Sequence, residues 1–139
     1  MIEYHYETDF KRIDETKFTD WISRVIISEK SVLGNIGYIF CDDSYLLQIN
    51  QKYLDHNTYT DIISFDYCEG TTISGDIFIS VERVKENAID LGQTFEMEFK
   101  RVMVHGVLHF LGYKDKAPEE AVSMRIKENE MMALFHVEQ

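Results

Sequence analysis

Two histidines four residues apart are the feature of this 139-residue chain that most directly suggests chemistry. His105 and His109 lie in the apolar run EFKRVMVHGVLHFLGYKDK, and residues at i and i+4 project from one face of a helix. Gly112 then interrupts the run, and Asp115 follows it. Two imidazoles and one carboxylate that leave a fourth position open are typical of a catalytic zinc site. The spacing therefore predicts one metal ion held by His105, His109 and Asp115.

A histidine in an apolar helix is more often a hydrogen-bonded core residue than a ligand, but this explanation fits a pair less well. Burying two imidazoles without partners costs on the order of several kcal/mol. Gly106, between the histidines, costs a helix roughly 1 kcal/mol relative to alanine. We interpret the missing side chain as room for something to approach beside the histidines.

Zinc is the favoured metal, because a single site with an open position needs no redox partner, although iron, nickel and manganese accept the same ligands. Bound zinc lowers the pKa of water towards about 7 and so supplies a nucleophile at neutral pH. Zinc peptidases use a related H-E-x-x-H helix whose glutamate is the general base. Gly106 occupies that position here, which disfavours a peptidase of that design.

Length and composition favour one soluble domain spanning residues 1–139 in the cytoplasm. The chain is 45% hydrophobic, has no apolar run of about twenty residues, and begins with the acidic, polar stretch MIEYHYETDF rather than a signal peptide. Cys41 and Cys68 have no metal-binding spacing and are expected to be buried free thiols. The net charge of −11 argues against a protein that coats nucleic acid, but not against an enzyme that acts on it.

The apolar periodicity predicts an α+β fold in which a mixed four-stranded sheet packs with about five helices. Two neighbouring strands are expected to form a hairpin around Gly70. The segment from Asp9 to Lys17 is expected to be a connection, with the first helix beginning at Thr19. A buried helix carries the histidines, and a last helix from Pro118 to about Phe135 turns Ala121 and Met124 inward.

The run HGVLHFLGY, from His105 to Tyr113, resembles the YbeY family of metal-dependent endoribonucleases of ribosomal RNA maturation. Other segments agree in order and spacing over roughly Ile49 to Leu134. They are TDIISF (60–65), GDI (75–77), Glu98 ahead of the histidine helix, and Met124 with Glu128 in the last helix. The resemblance implies a zincin-like fold, one zinc ion, and hydrolysis of phosphodiester bonds in RNA during assembly of the small ribosomal subunit.

This chain departs from the family pattern at two positions. A third histidine usually ends the motif, whereas Asp115 falls on that position here, so the resemblance carries the ligand role to Asp115. Aspartate is anionic and makes the metal a weaker Lewis acid. Leu54 stands where the family usually has an arginine, and the side chains that could replace its charge are Lys52, His56, Arg101 and Lys114.

Three functions remain open from the sequence. The first is an endoribonuclease that acts on ribosomal RNA; its catalytic candidates are His105, His109 and Asp115, with Lys114, Glu98 and His56 as further candidates near the site. The second is a factor that binds the small ribosomal subunit or its assembly factors and whose zinc is mainly structural. The third is a peptidase-like zinc hydrolase of another substrate. No membrane partner is expected.

Overall fold

A mixed four-stranded sheet forms the centre of the computed structural model. The structure describes residues 1–56 and 58–136, with only the backbone of His136 described. Its strand order is β1-β2-β4-β3, in which β1, β2 and β4 are parallel and β3 is antiparallel to β4. The described strands are β1 (Ile2–Tyr6), β2 (Val32–Cys41), β3 (Ile62–Asp66) and β4 (Thr72–Ser80). The described helices are α1 (Glu15–Ser28), α2 (Asp43–Leu54), α3 (Val81–Leu91), α4 (Phe95–Phe110), α5 (Pro118–Ala133) and a short 3-10 helix (Leu134–His136).

The predicted α+β class, the mixed sheet and the β3–β4 hairpin are confirmed. The predicted start of the first helix is wrong, because α1 begins at Glu15 rather than at Thr19. The Asp14 carboxylate accepts a hydrogen bond from the Lys17 backbone N–H at 3.2 Å and caps the helix one turn earlier.

The last helix also differs from expectation, since Ala121 is exposed while Met124 is buried. Cys41 is buried as predicted, but Cys68 is only partly covered; both are free thiols.

Helix α4 lies in the main hydrophobic core, between the sheet and α5. Two buried polar side chains tie the surrounding elements to helix backbones. The Tyr38 hydroxyl of β2 donates to the Met103 carbonyl of α4 at 2.9 Å, and the Trp21 indole N–H of α1 donates to the Met131 carbonyl of α5 at 2.8 Å. Both bonds satisfy groups that would otherwise be costly to bury. None of the helices in the described part of the chain combines the length and apolar character that a bilayer crossing requires.

Gly106 has a different role from the one that we expected. A Cβ atom at this position would lie 3.0 Å from Cδ1 of Ile77 and 3.1 Å from Cδ1 of Ile62. The missing side chain therefore lets α4 approach the sheet, and it leaves no space for a ligand beside the histidines. Because the position faces the sheet, a glutamate there would be directed into the core.

Gly75 of β4 lies under α4 with even less space. A Cβ atom there would lie 2.4 Å from the Phe65 carbonyl oxygen and 2.5 Å from Cζ of Phe110. We expect Gly75→Ala to lower the free energy of unfolding by about 1–3 kcal/mol through overpacking, as measured by urea denaturation. Thr72→Ala, at an exposed position of the same strand, should change it by less than about 0.5 kcal/mol. Equal stabilities for Gly75→Ala and the wild type would contradict the close approach.

Candidate metal centre

The local sequence of α4 explains how both histidines and the aspartate reach one place. The Thr94 hydroxyl accepts from the Met97 backbone N–H at 3.1 Å and starts the helix. The helix ends at Phe110, and Gly112, with a φ of +102°, turns the chain in a conformation that side-chain-bearing residues rarely adopt. This turn brings Asp115 back over the last helical turn.

Three ligand atoms converge on one point at this turn. Nε2 of His105 and Nε2 of His109 lie 3.0 Å apart, and Oδ2 of Asp115 lies 3.2 Å from the first and 3.3 Å from the second. Ligands of a tetrahedral ion are about 3.3 Å apart when each lies about 2.0–2.1 Å from the ion. The triangle therefore fits a zinc-sized cation. The three side chains are 21%, 32% and 35% exposed, in the same order, so solvent and substrate can reach the centre.

The outer nitrogen of each imidazole has its own acceptor. Nδ1 of His105 lies 2.6 Å from Oε2 of Glu128 in α5, and Nδ1 of His109 lies 3.0 Å from the Tyr113 carbonyl oxygen. An acceptor at Nδ1 places the proton there and leaves the Nε2 lone pair for a metal. Both rings are therefore oriented in the way that metal binding requires.

Arg101 lies between two buried carboxylates behind His105. Its Nη1 donates to Oε1 of Glu128 at 3.0 Å, and its Nε lies 3.8 Å from Oε1 of Glu98. The side chains of Glu98 and Glu128 are 7% and 6% exposed, and that of Arg101 is 13% exposed. Charges buried to this degree persist only when they are paired. Arg101 is therefore committed to these carboxylates and does not replace the family's usual arginine.

The buried charges shift one another's protonation. Burial tends to lower the pKa of His105, but the hydrogen bond and charge of Glu128 outweigh it, so this pKa lies above its usual value. Burial tends to raise the pKa of Glu128, but hydrogen bonds from His105 and Arg101 lower it below its usual value. The pKa of Glu98 is raised, mainly because burial removes water from its carboxylate. Glu128 is thus held as the anion that His105 needs.

Two clefts open on either side of the three ligands. The larger, of about 740 Å³, is lined by His109 and Asp115 together with His56, Tyr59 and Lys116, among others. The smaller, of about 290 Å³, contains His105, Asp61, Glu98 and Arg101. Asp115 lines both clefts, so the two meet at the metal ligands.

The other predicted site residues lie at different distances from the centre. His56 is exposed and lines the larger cleft, as does Leu54, and Glu98 lines the smaller cleft. Lys114 is exposed and does not line either cleft in the described part of the chain, whereas Lys116 lines the larger one. The catalytic roles of Lys114, Glu98 and His56 stay predictions.

Sequence reasoning missed two contacts of the centre, that of Glu128 with His105 and that of the Tyr113 carbonyl with His109. Glu128 had a visible signal, because it is the one polar residue in an apolar row of α5, but its partner His105 is 23 residues away. The Tyr113 carbonyl is a backbone group and carries no signal in the sequence. Asp61, whose carboxylate lies 3.4 Å from Nδ2 of Asn87, lines the smaller cleft, and burial raises its pKa.

Known proteins match this chain along nearly its whole length. The family model described as endoribonuclease YbeY matches residues 3–136. This chain belongs to the endoribonuclease YbeY family. A protein of that name from Flavobacterium johnsoniae is 59% identical over 100% of both chains. Those of Christiangramia forsetii and Bacteroides thetaiotaomicron are 53% and 42% identical over 99% and 93% of this chain, and over 96% of each relative.

A solved structure supports the fold independently. The solution structure of TM1509 from Thermotoga maritima superposes with a TM-score of 0.72 at 22% identity, over 97% of this chain and 89% of that one. At this identity the likeness concerns the fold alone. The family resemblance inferred from the histidine motif is confirmed, and it extends from Ile49–Leu134 to almost the entire chain.

Replacing the Glu128 carboxylate should weaken metal binding while the fold persists. We expect Glu128→Gln to reduce zinc affinity about 10- to 100-fold, because the neutral amide holds Nδ1–H of His105 less strongly. Zinc affinity is measured by competition with a chromophoric chelator, and circular dichroism checks the fold. Glu130→Gln, an exposed carboxylate in the same helix, is the matched control. Wild-type affinity in Glu128→Gln would show that the contact does not support the centre.

Proposed function

We propose that this protein is a metal-dependent endoribonuclease that hydrolyses phosphodiester bonds in RNA. The observation that carries the proposal is the triangle of His105, His109 and Asp115, which fits one cation and opens on two clefts. Relatives that share 42–59% of its residues are named as endoribonucleases. The family membership supports hydrolysis of RNA as the reaction, and the geometry supports a metal ion as the catalytic group.

Zinc is the metal that we propose for this centre. Two imidazole nitrogens and one carboxylate oxygen are ligands that zinc accepts, and the separations among them suit its tetrahedral geometry. When bound, zinc supplies Lewis-acid polarisation of a phosphoryl oxygen and lowers the pKa of water. Asp115 adds a negative charge that a third histidine would not, so we expect this protein to need a higher pH for full activity than relatives with three histidines.

The protein's own contribution is orientation. Glu128 and the Tyr113 carbonyl hold the two Nδ1 protons, so that both Nε2 atoms face the same point. Hydrogen bonds from His105 and Arg101 keep Glu128 anionic, and Arg101 fixes its position from behind. These contacts preorganise the centre, and preorganised charge is a large part of catalysis at phosphodiester bonds.

The larger cleft provides the surface on which we expect the RNA strand to lie. Leu54 and Tyr59 are 44% and 58% exposed and offer apolar contact to bases, while Lys116 can neutralise a phosphate. Asn50 donates to the Thr58 carbonyl at 2.8 Å and holds the loop that forms one wall. The cleft relies on base contacts more than on charge, since Lys116 is the single lysine or arginine among its described lining residues.

We propose ribosomal RNA as the substrate, with the small ribosomal subunit or its assembly factors as partners and the cytoplasm as the location. The family resemblance supports this choice. The net charge of −11 supports it as well, because an acidic protein has weak affinity for RNA in general. Such a nuclease acts best where an assembling particle presents its substrate.

A second candidate function is a ribosome-assembly factor whose metal is mainly structural. Leu54 favours it, because a leucine cannot stabilise the charge of a phosphoryl-transfer transition state. Ribosomal co-sedimentation that survives chelation, together with no measurable RNA cleavage by the metal-loaded protein, would select this function. A peptidase-like hydrolase has less support, since the position of Gly106 faces the sheet.

Removing a metal ligand should abolish cleavage while the fold persists. We expect RNA cleavage to fall to background in His109→Ala and Asp115→Ala, with zinc content measured by elemental analysis falling in parallel. Asp115→His should keep its zinc, because it restores a nitrogen ligand at the same position. His5→Ala, an exposed histidine of β1, serves as the control. Wild-type cleavage by His109→Ala would refute the metal mechanism.

A matched pair of lysines tests the placement of the substrate. We expect Lys116→Ala to raise the KM for RNA about two- to tenfold with little change in kcat, because a charge at the edge of a binding surface mainly affects association. Lys114→Ala should leave the KM near wild type, since Lys114 lies outside the described cleft linings. The opposite ranking of the two lysines would contradict our assignment of the cleft.

A further inference from the structure

A second crevice, of about 520 Å³, lies at the beginning of α4, away from the metal centre. The segment 10–14, the start of α1, the start of α4 and Phe135 form its walls. Phe95 precedes His105 by ten residues in the same helix, which separates the crevice from the metal centre by about 15 Å along the helix axis. At this separation, the crevice is not part of the metal centre.

The crevice is basic although the protein is acidic. Four cationic side chains line it, against two carboxylates, those of Asp14 and Glu96. Asp14 already caps α1. The cations are Lys11, Lys17, Lys100 and Arg12, of which Arg12 is already paired with Glu15 at 2.8 Å. In a chain with a net charge of −11, such a local excess of positive charge steers anions to one place.

Two of these lysines converge on one aromatic ring. Nζ of Lys100 lies 3.8 Å and Nζ of Lys17 lies 5.9 Å from the ring centroid of Phe135. Burial lowers the pKa of Lys100, and the neighbouring charge of Lys17 lowers it further, against an opposing effect of Glu96. Among the described residues, neither ammonium group has a carboxylate within 4.0 Å. An anion bound near both ammonium groups would relieve their repulsion.

Two further features indicate the kind of anion. Both α1 and α4 begin at the crevice, and helix N-termini favour negative charge. The ring of Phe95 is partly exposed there and stacks on Phe99, with centroids 5.4 Å apart. Aromatic rings beside cations are the arrangement by which proteins hold single-stranded nucleic acid, the rings stacking with bases and the cations contacting phosphates.

We propose that this crevice is a second RNA-binding site that holds one nucleotide of a single strand, its phosphate near Lys11, Lys17 and Lys100 and its base against Phe95. The inference deepens the proposed function, because the strand held here is the RNA that the metal centre cleaves. A substrate long enough to span both sites is therefore bound more tightly than a short one.

The test measures binding of a fluorescent 2′-O-methyl oligouridylate of about twelve nucleotides to the zinc-loaded full-length chain by anisotropy. A denaturing gel checks that the strand stays intact. We expect Lys11→Gln/Lys17→Gln to bind about tenfold more weakly and to reduce the salt dependence, with a slope of log K against log salt smaller by about 1.4. Phe95→Leu should bind severalfold more weakly with an unchanged slope, because it removes a stacking ring and no charge.

A charge-matched control separates this site from general electrostatics. Lys30→Gln/Lys85→Gln removes the same charge from exposed positions outside the crevice and should bind nearly as tightly as the wild type. An equal loss of affinity in this control would overturn the proposal. So would uridine monophosphate that binds as tightly as the strand, or polyglutamate that competes as well as RNA, since a free nucleotide or an acidic peptide would then be the ligand.

Cleavage assays keep the two proposals distinguishable. Lys11→Gln/Lys17→Gln should cleave a trinucleotide at the wild-type rate, but should show a raised KM for long RNA. Equal KM values for long RNA in the variant and the wild type, with cleavage intact, would overturn the second binding site alone. Absence of cleavage by the wild type would overturn the proposed nuclease function, and the binding measurements would still decide whether the crevice holds RNA.

Discussion

The close approach of α4 to the sheet is the constraint on which the metal centre depends. Gly106 allows that approach, because a Cβ atom there would lie closer to Ile77 and Ile62 than ordinary van der Waals contact. With this face of α4 against the sheet, His105 and His109 are directed to the side where the chain returns after Gly112. The packing of α4 against the sheet therefore also sets the direction of both imidazoles. A shift of α4 by a fraction of an ångström would move the two rings together.

Buried charge is the second condition for the centre. The Glu98 and Glu128 carboxylates and the Arg101 guanidinium are nearly excluded from water, at a cost of several kcal/mol per ion before pairing, by order of magnitude. Pairing offsets that cost only while α4 and α5 keep their relative position, because Glu128 belongs to α5 and Arg101 to α4. The orientation of His105 is thus linked to the packing of Met124 and Met131 in α5.

Local patterns in the sequence were sufficient for the fold class and for the three candidate ligands. The i, i+4 histidines and the turn at Gly112 are separated by a few residues, so helix geometry alone relates them. Contacts between distant segments could not be predicted in this way: Glu128 meets His105 only through tertiary packing, and the acceptor for His109 is the Tyr113 backbone carbonyl. The role of Gly106 was misjudged for the same reason, since its neighbours Ile62 and Ile77 belong to strands distant in sequence.

The distribution of charge reconciles an acidic protein with an anionic substrate. Uniform positive charge would hold RNA everywhere on the surface, whereas 25 acidic residues against 14 basic ones leave few places where a phosphate is stable. A dication held by His105, His109 and Asp115 would create one such place, and the lysines around Phe135 create another. Negative charge elsewhere then increases selectivity, because a strand gains affinity only in the register that brings its phosphates to both places.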